Sequence, residues 1–462
     1  MHPVADTARI ESNRWRIMQP EFILQPALLW LLLLDLVLFG VLIAVRPGAL
    51  LRPSVFFSVF MCVTINVAAA TVDKAVYGPV TTLHAIRLSA LLLPLAMFIW
   101  VLATPQLTAE ARSIAGRCRA AARSPQLLGR DEQRAIVLLS GLMVLALLAY
   151  LATVPLTSTG LWSILFDPAS SVEARERSLK MLDLPIVGYL YVFFRTAVAP
   201  VLFVLCIFSI ARRRPVASLL FAGLAVLCLV GVGLEGARMP IGWVILALAF
   251  AFALIRGIWR GSVAVGLAAI LVLSIVFTFT IARIGMAGEL DSEVFETYSV
   301  SVLDRAFIAP FDTGVLANRY AEDVGGLGVS NIRPLALLVG VEPVNLPNIV
   351  NRTYFPHLRE SGMVNTSFVF DLQASFGIWP GWWCALALLA VLDVLLYCFR
   401  GVHGLLLVAF TAAFMTTLMN LASSAYTTVL LSGGILWVPL VLLLCRIRPL
   451  DRRADAPPAL EC

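Results

Sequence analysis

Four arginines carry the first hint of chemistry. Arg195 stands in the middle of an unbroken apolar run from Pro185 to Ala211, and Arg87, Arg238 and Arg283 fall inside or at the lip of other hydrophobic segments. An ionisable side chain inside a membrane costs about 2.5–3.5 kcal/mol by the lower estimates and marks a functional site by default. A guanidinium keeps its charge and presents a planar fork of donors that matches phosphate or carboxylate oxygens. The tract Gly233-Leu-Glu-Gly-Ala-Arg-Met-Pro-Ile-Gly242 puts Glu235 and Arg238 on a tight turn, with Pro240 opening the next helix where its missing N–H costs nothing. His357, Glu360, Asp371 and Asp304 are further candidates for acid–base work, and His84 near Arg87 is a weaker one; none has a spacing that singles it out. The competing structural reading of Arg195 is an ion pair with Asp35 or another buried acid. Snorkelling at a lip accounts for Arg87, Arg238 or Arg283 taken singly.

The elements that must position these residues are membrane helices. The chain has 462 residues, 60% of them hydrophobic and 13% charged, with a mean hydropathy of +0.92, which excludes a soluble globular protein. Apolar segments long enough to cross a bilayer fall at 26–45, 53–72, 83–103, 135–155, 185–211, 216–234, 240–255, 262–281, 376–399, 404–422 and 428–445. The expected fold is therefore all-α and polytopic, with about 11 spans (10–12), the 240–255 segment being short. Arginine collects in the 104–134 loop, at Arg212 to Arg214, at Arg256 and Arg260, and from Arg446 to Arg453. These positions lie an even number of spans apart, so the positive-inside bias puts them and the C-terminus in the cytoplasm. With eleven spans the N-terminus is outside, although Arg9, Arg14 and Arg16 oppose that placement. The first 25 residues lack the apolar core and cleavage site of a cleaved signal, so the first span is expected to stay as an anchor. The formal charge of +6 follows from cytoplasmic arginines rather than from nucleic-acid binding. No cysteine lies in the large outer loop, no Cys/His spacing resembles a metal site, and no cofactor is expected.

The chain divides into 1–281 (spans 1–8), a large outer loop with short helices at 282–375, 376–446 (spans 9–11) and a cytoplasmic tail at 447–462. The large loop holds Arg283, Arg305, Arg319, Arg333, Arg352 and Arg359 against the topological bias, which makes Arg305, Arg319, Arg352 and Arg359 candidate substrate contacts. Within it, Val300, Leu303, Phe307 and Phe311 recur at helical spacing, the pattern of an amphipathic helix on the membrane surface. The stretch from Arg333 to Pro356, broken by Pro334, Pro343, Pro347 and Pro356, reads as largely irregular. Orientation puts Arg87, Arg195, Arg238 and Arg283 all in the outer half of the membrane, with Arg195 about 15 Å deep at 1.5 Å per residue. A phosphate ligand half-buried there suggests a polyprenyl-linked pyrophosphate.

A glycine-flanked arginine starting a helix, followed after a long outer loop by Val364-Asn-Thr-Ser-Phe-Val-Phe-Asp-Leu-Gln-Ala-Ser-Phe-Gly-Ile-Trp-Pro-Gly381, resembles the bacterial O-antigen polymerase (Wzy-type) family and related oligosaccharide repeat-unit polymerases. The many spans and single large outer loop support the resemblance as architecture. The family's arginine-plus-ten-residues-plus-glycine pattern is absent: Ser330 follows Arg319 at that distance, and Met363 follows Arg352. The resemblance implies a metal-independent glycosyl transfer between undecaprenyl-pyrophosphate-linked glycans at the outer face of the bacterial inner membrane, building O-antigen or exopolysaccharide. Membrane lipids and a protein that regulates chain length are the implied partners. Arg87, Arg195, Arg238 and Arg283 would then hold the pyrophosphate, His357, Glu360, Asp371 or Glu235 would serve as base, and Trp379, Trp382 and Trp383 would stack on sugar or anchor at the interface. Two alternatives stay open: an O-antigen ligase dependent on a loop histidine such as His357, and a transporter or flippase of an anionic lipid-linked substrate.

Overall fold

The computed structural model describes residues 21–22, 25–73, 80–123, 129–166, 185–210, 215–236, 239–257, 261, 263–272, 307–354, 366–422, 424, 430 and 434–446. Its helices, in chain order, are α1 (Pro26–Val45), α2 (Pro53–Thr71), α3 (Val80–Ala103), α4 (Pro105–Arg123), α5 (Arg130–Thr153), α6 (Gly160–Phe166), α7 (Pro185–Phe193, a π turn at Phe194–Val198, then Ala199–Ile210), α8 (Pro215–Gly233), α9 (Met239–Arg256), α10 (Val263–Val272), α11 (Ala309–Asp323), α12 (Arg333–Val339), α13 (Leu346–Tyr354), α14 (Phe368–Phe376), α15 (Ile378–Val394), α16 (Gly404–Met419) and α17 (Trp437–Arg446). The remaining pairing among the described residues is a two-residue antiparallel bridge of β1 (Glu21–Phe22) with β2 (Val72–Asp73).

Among the described residues, seven helices are long and apolar enough to cross a membrane: α1, α2, α3, α5, α7, α15 with its extension to Phe399, and α16 with its extension to Ala422. Shorter apolar helices α8 and α9 match the expected sixth and seventh spans, whereas α10 and α17 fall in the expected eighth and eleventh, parts of which lie outside the described residues. The chain is an all-α, multi-pass membrane protein. Proline opens many of these helices, among them α1, α2, α4, α7 and α8, because the first turn has no use for the N–H that proline lacks.

The bundle has two chemically different ends. At the arginine-rich end, α4 lies across the helix termini and buries Leu107, Thr108, Ala111, Ile114 and Cys118. Arg117 caps the carbonyls of Phe399 and Val402 at 3.2 and 2.9 Å, Arg400 meets Glu110 at 2.8 Å, and Glu132 accepts the Leu405 N–H at 2.6 Å. Beneath α4, Arg52 and Asp393 form an ion pair with no exposure on either side chain. Arg52 donates to Thr104 and Thr108, while Ser54 and Trp100 donate to Asp393, so the buried charges are well supplied with partners. At the opposite end the β1–β2 bridge holds the chain ahead of α1 beside the last residues of α2. The segment before α1 and the arginine-rich α4 therefore lie at opposite ends, as an odd number of spans requires.

The outer segment differs from its expected form in two places. The amphipathic helix was expected on the membrane surface; its described part, Phe307 onward, runs into α11, whose residues Pro310 to Asn318 are all buried. Phe311 packs edge-on to Phe370 at 5.9 Å between ring centres, so this residue faces α14 rather than lipid, while Val300 and Leu303 lie outside the described residues. The stretch from Arg333 was expected to be irregular, yet it contains α12 and α13. Pro334 and Pro347 each occupy the second helical position, where a proline starts a helix instead of breaking one.

Candidate functional site

Arg195 sits on the π turn Phe194–Val198 of α7. A π turn adds a residue to the helical register and is frequent at functional sites; here it leaves the Arg195 side chain 22% exposed while Phe194, Ala197 and Val198 are buried. Its Nη1 donates to Glu235 Oε1, forming an ion pair. Glu235 is held in the turn that follows α8, where the Gly236 N–H returns to the Gly233 carbonyl at 2.8 Å. The start of α6 closes over that turn, with the Leu161 N–H on the Leu234 carbonyl at 3.1 Å. A Cβ on Gly160 would lie 2.3 Å from the Glu235 carbonyl oxygen, so the close approach requires glycine there.

The pair decides between two partners that the sequence left open. Arg195 has a buried acidic partner, and it is Glu235 rather than Asp35. One turn earlier on α7, Tyr191 donates to the Gly231 carbonyl at 2.9 Å and stacks on Tyr150 at 4.3 Å between rings. These ties put Arg195 level with the end of α8. The Tyr191 contribution was missed, although its i−4 spacing from Arg195 is visible in the sequence.

The carboxylate is only half used. Glu235 is 2% exposed, and its Oε2 is buried with no hydrogen-bond partner among the described residues. On the same stretch of α7, Thr196 and Pro200 line a cavity of about 10 Å³ with Trp243, Thr416, Thr417 and Asn420, which is room for about one water.

The other expected site residues lie elsewhere. Arg87 is buried and donates from Nη2 to the Val72 carbonyl, tying α3 to the end of α2, in a different helix group from Arg195. Asp371, on α14, is 1% exposed and accepts a 2.8 Å bond from Asn331, which also reaches the Ser375 hydroxyl at 2.8 Å. This arrangement locks the short 3-10 turn Gly328–Asn331 onto α14 and keeps Asp371 away from the surface. Arg319 lies on α11 beside Tyr354, whose phenol is pushed up by burial while the guanidinium counters it. Arg352 is exposed on α13, and His84 is exposed on α3. Arg238, Arg283, Asp304, Arg305, His357, Arg359 and Glu360 lie outside the described residues. Trp382 is buried with its Nε1 on the Ser89 carbonyl at 2.9 Å, a packing role, whereas Trp379 and Trp383 are exposed as interfacial anchors are.

The Phe376-Gly-Ile-Trp-Pro-Gly381 motif has a structural explanation in this chain. Gly377 ends α14 with φ of 91°, and a Cβ on Gly381 would stand 2.4 Å from the Leu372 carbonyl oxygen. The two glycines let α15 turn back tightly against α14. Among the described residues no three His, Cys, Asp or Glu side chains gather into a metal-binding group. Comparison with family models, with curated proteins and with solved structures gives no match.

Proposed function

We propose that the chain is a membrane glycosyltransferase that polymerises undecaprenyl-pyrophosphate-linked oligosaccharide repeat units at the periplasmic face of the bacterial inner membrane. The observation that carries this reading is the half-engaged Arg195–Glu235 pair at the end of the bundle away from the arginine-rich face. Among the described residues the guanidinium gives one hydrogen bond, leaving most of its five donors for an anion arriving from the side where its side chain is exposed. A pyrophosphate competes with Glu235 for that guanidinium and has the greater charge. Displacing the carboxylate frees a base beside the leaving group. Glu235 then takes the proton of an acceptor hydroxyl as its oxygen bonds to the anomeric carbon, and the breaking C–O bond leaves its electron pair on the pyrophosphate held by Arg195.

The test is an extension assay. Purified protein in proteoliposomes is given undecaprenyl-pyrophosphate oligosaccharide alone, and the reading expects a ladder of longer lipid-linked chains. Transfer only after lipid A–core is added would make the protein a ligase. Movement of the lipid-linked glycan between leaflets without a new glycosidic bond would make it a flippase.

A further inference from the structure

The excursion between Asn331 and Val344 carries a run of exposed apolar residues between Arg333 and Glu342. It leaves the Gly328–Asn331 turn, forms the seven-residue α12, and returns so that the Val344 N–H bonds the Ser330 carbonyl at 2.8 Å. Ala336 packs inward, but Leu335, Leu337, Leu338, Val339 and Val341 are exposed, Leu338 at 81%. Three of these are consecutive, so the apolar surface wraps the helix instead of forming one stripe, and among the described residues no segment covers it. A contiguous exposed apolar surface on a soluble face marks an interaction site.

The backbone meets part of the demand that lipid makes of it. A helix exposed to hydrocarbon must satisfy its own polar groups. At the C-terminus of α12, Gly340 adopts φ of 72°, the Gly340 N–H bonds the Leu337 carbonyl and the Val341 N–H bonds the Ala336 carbonyl, the paired bonds of a Schellman cap. At the N-terminus Pro334 has no N–H to satisfy, and the Ala336 N–H bonds the Ile332 carbonyl at 2.8 Å.

Its level in the bundle also fits. Asn331, two residues before α12, bonds Asp371 and Ser375 on α14, and the neighbouring Gln373 bonds Ser89 at 2.9 Å. Ser89 lies seven residues inside the apolar span that starts at Thr82, about 10 Å at 1.5 Å per residue. We infer that α12 and Val341 form a finger inserted among the acyl chains of the bilayer leaflet on the side away from α4. The inference rests on the membrane fold and not on the glycosyl-transfer reading.

Photo-cross-linking of the full chain tests it. Proteoliposomes of phosphatidylcholine carrying a diazirine on the acyl chain are irradiated and the adducts mapped by mass spectrometry, with Leu219 and Leu220 on α8, 73% and 65% exposed, as the internal reference for lipid contact. Adducts on Leu335 to Val341 at a yield within about twofold of that reference are expected. The inference is overturned if the α8 face is labelled and Leu335 to Val341 are not. Labelling of those residues by a water-soluble carbene, or their cross-linking to another segment or a second copy of the chain, would also overturn it. The double variant Leu337→Asp/Leu338→Asp should lose the acyl adducts at 335–341 while keeping those on α8.

Discussion

At the residue scale, buried charge in this protein takes two forms that predict different mutant behaviour. Asp393 is met by Arg52, Ser54 and Trp100, so it is a structural latch. Replacing Asp393 by Ala leaves a fully buried guanidinium without its counter-charge and should cost about 3–5 kcal/mol, read as a fall in the thermal midpoint of the detergent-solubilised protein. Glu235 is met by Arg195 and keeps one buried oxygen unpartnered among the described residues. For Arg195→Ala we expect a smaller stability loss, about 1–3 kcal/mol, because the Arg195 side chain is partly in contact with the exterior. Glu235→Gln should recover part of it in the double variant by removing the stranded charge. The arginine itself was legible in the sequence as a charge inside an apolar run. Its partner was legible only as one of several acids, since a pairing across forty residues depends on how α7 and α8 are staggered.

The same contrast between pattern and packing appears at the scale of elements. The phrase Phe376 to Gly381 stands out in the sequence, and the structure gives it a backbone cause: the α14–α15 turn needs positive φ at Gly377 and no Cβ at Gly381. Gly381→Val should force the two helices apart and destabilise the protein by about 1–3 kcal/mol, seen in thermal unfolding, whereas Gly223→Val, at a position with nothing near a Cβ, should leave the midpoint almost unchanged. Prolines misled the reading of 333–356 because a proline that starts a helix and one that breaks it look alike until the preceding residues are placed. The helix α4 was read simply as a basic loop, yet its Leu107, Ala111, Ile114 and Cys118 recur at helical spacing and are buried. Burial pushes the Cys118 thiol up to about 12, so at pH 7.5 it should stay unmodified by maleimide until the protein is denatured.

For the whole molecule, hydropathy located the spans but could not rank them by position in the bundle. The span at Gly404–Ala422 has a hydropathy of 1.9 and is 89% buried, while Pro26–Val45 has 2.8 and is 28% buried. Lipid is as apolar as a protein core, so the outermost helix can be the greasiest, and the central one is instead rich in Ala and Thr that permit close helix contact. Arginine counts likewise fixed the two ends, and the β1–β2 bridge carries that assignment to the first span. Cysteines placed singly at His84 and Arg119 should accordingly react with a membrane-impermeant maleimide from opposite sides of sealed vesicles; labelling of both from one side would refute the arrangement of ends.

The most direct test of the central claim separates Arg195 as a ligand from Arg195 as a strut. The charge-swapped variant Arg195→Glu/Glu235→Arg keeps an ion pair between α7 and the turn after α8 but removes the native placement of cation and base. Its thermal midpoint and its polymer ladder are measured beside those of the wild type and of Arg195→Lys. The account predicts that the swap retains most of the thermal stability and makes no ladder, and that Arg195→Lys inserts normally but extends chains poorly. A swapped protein that builds chains of wild-type length would contradict it.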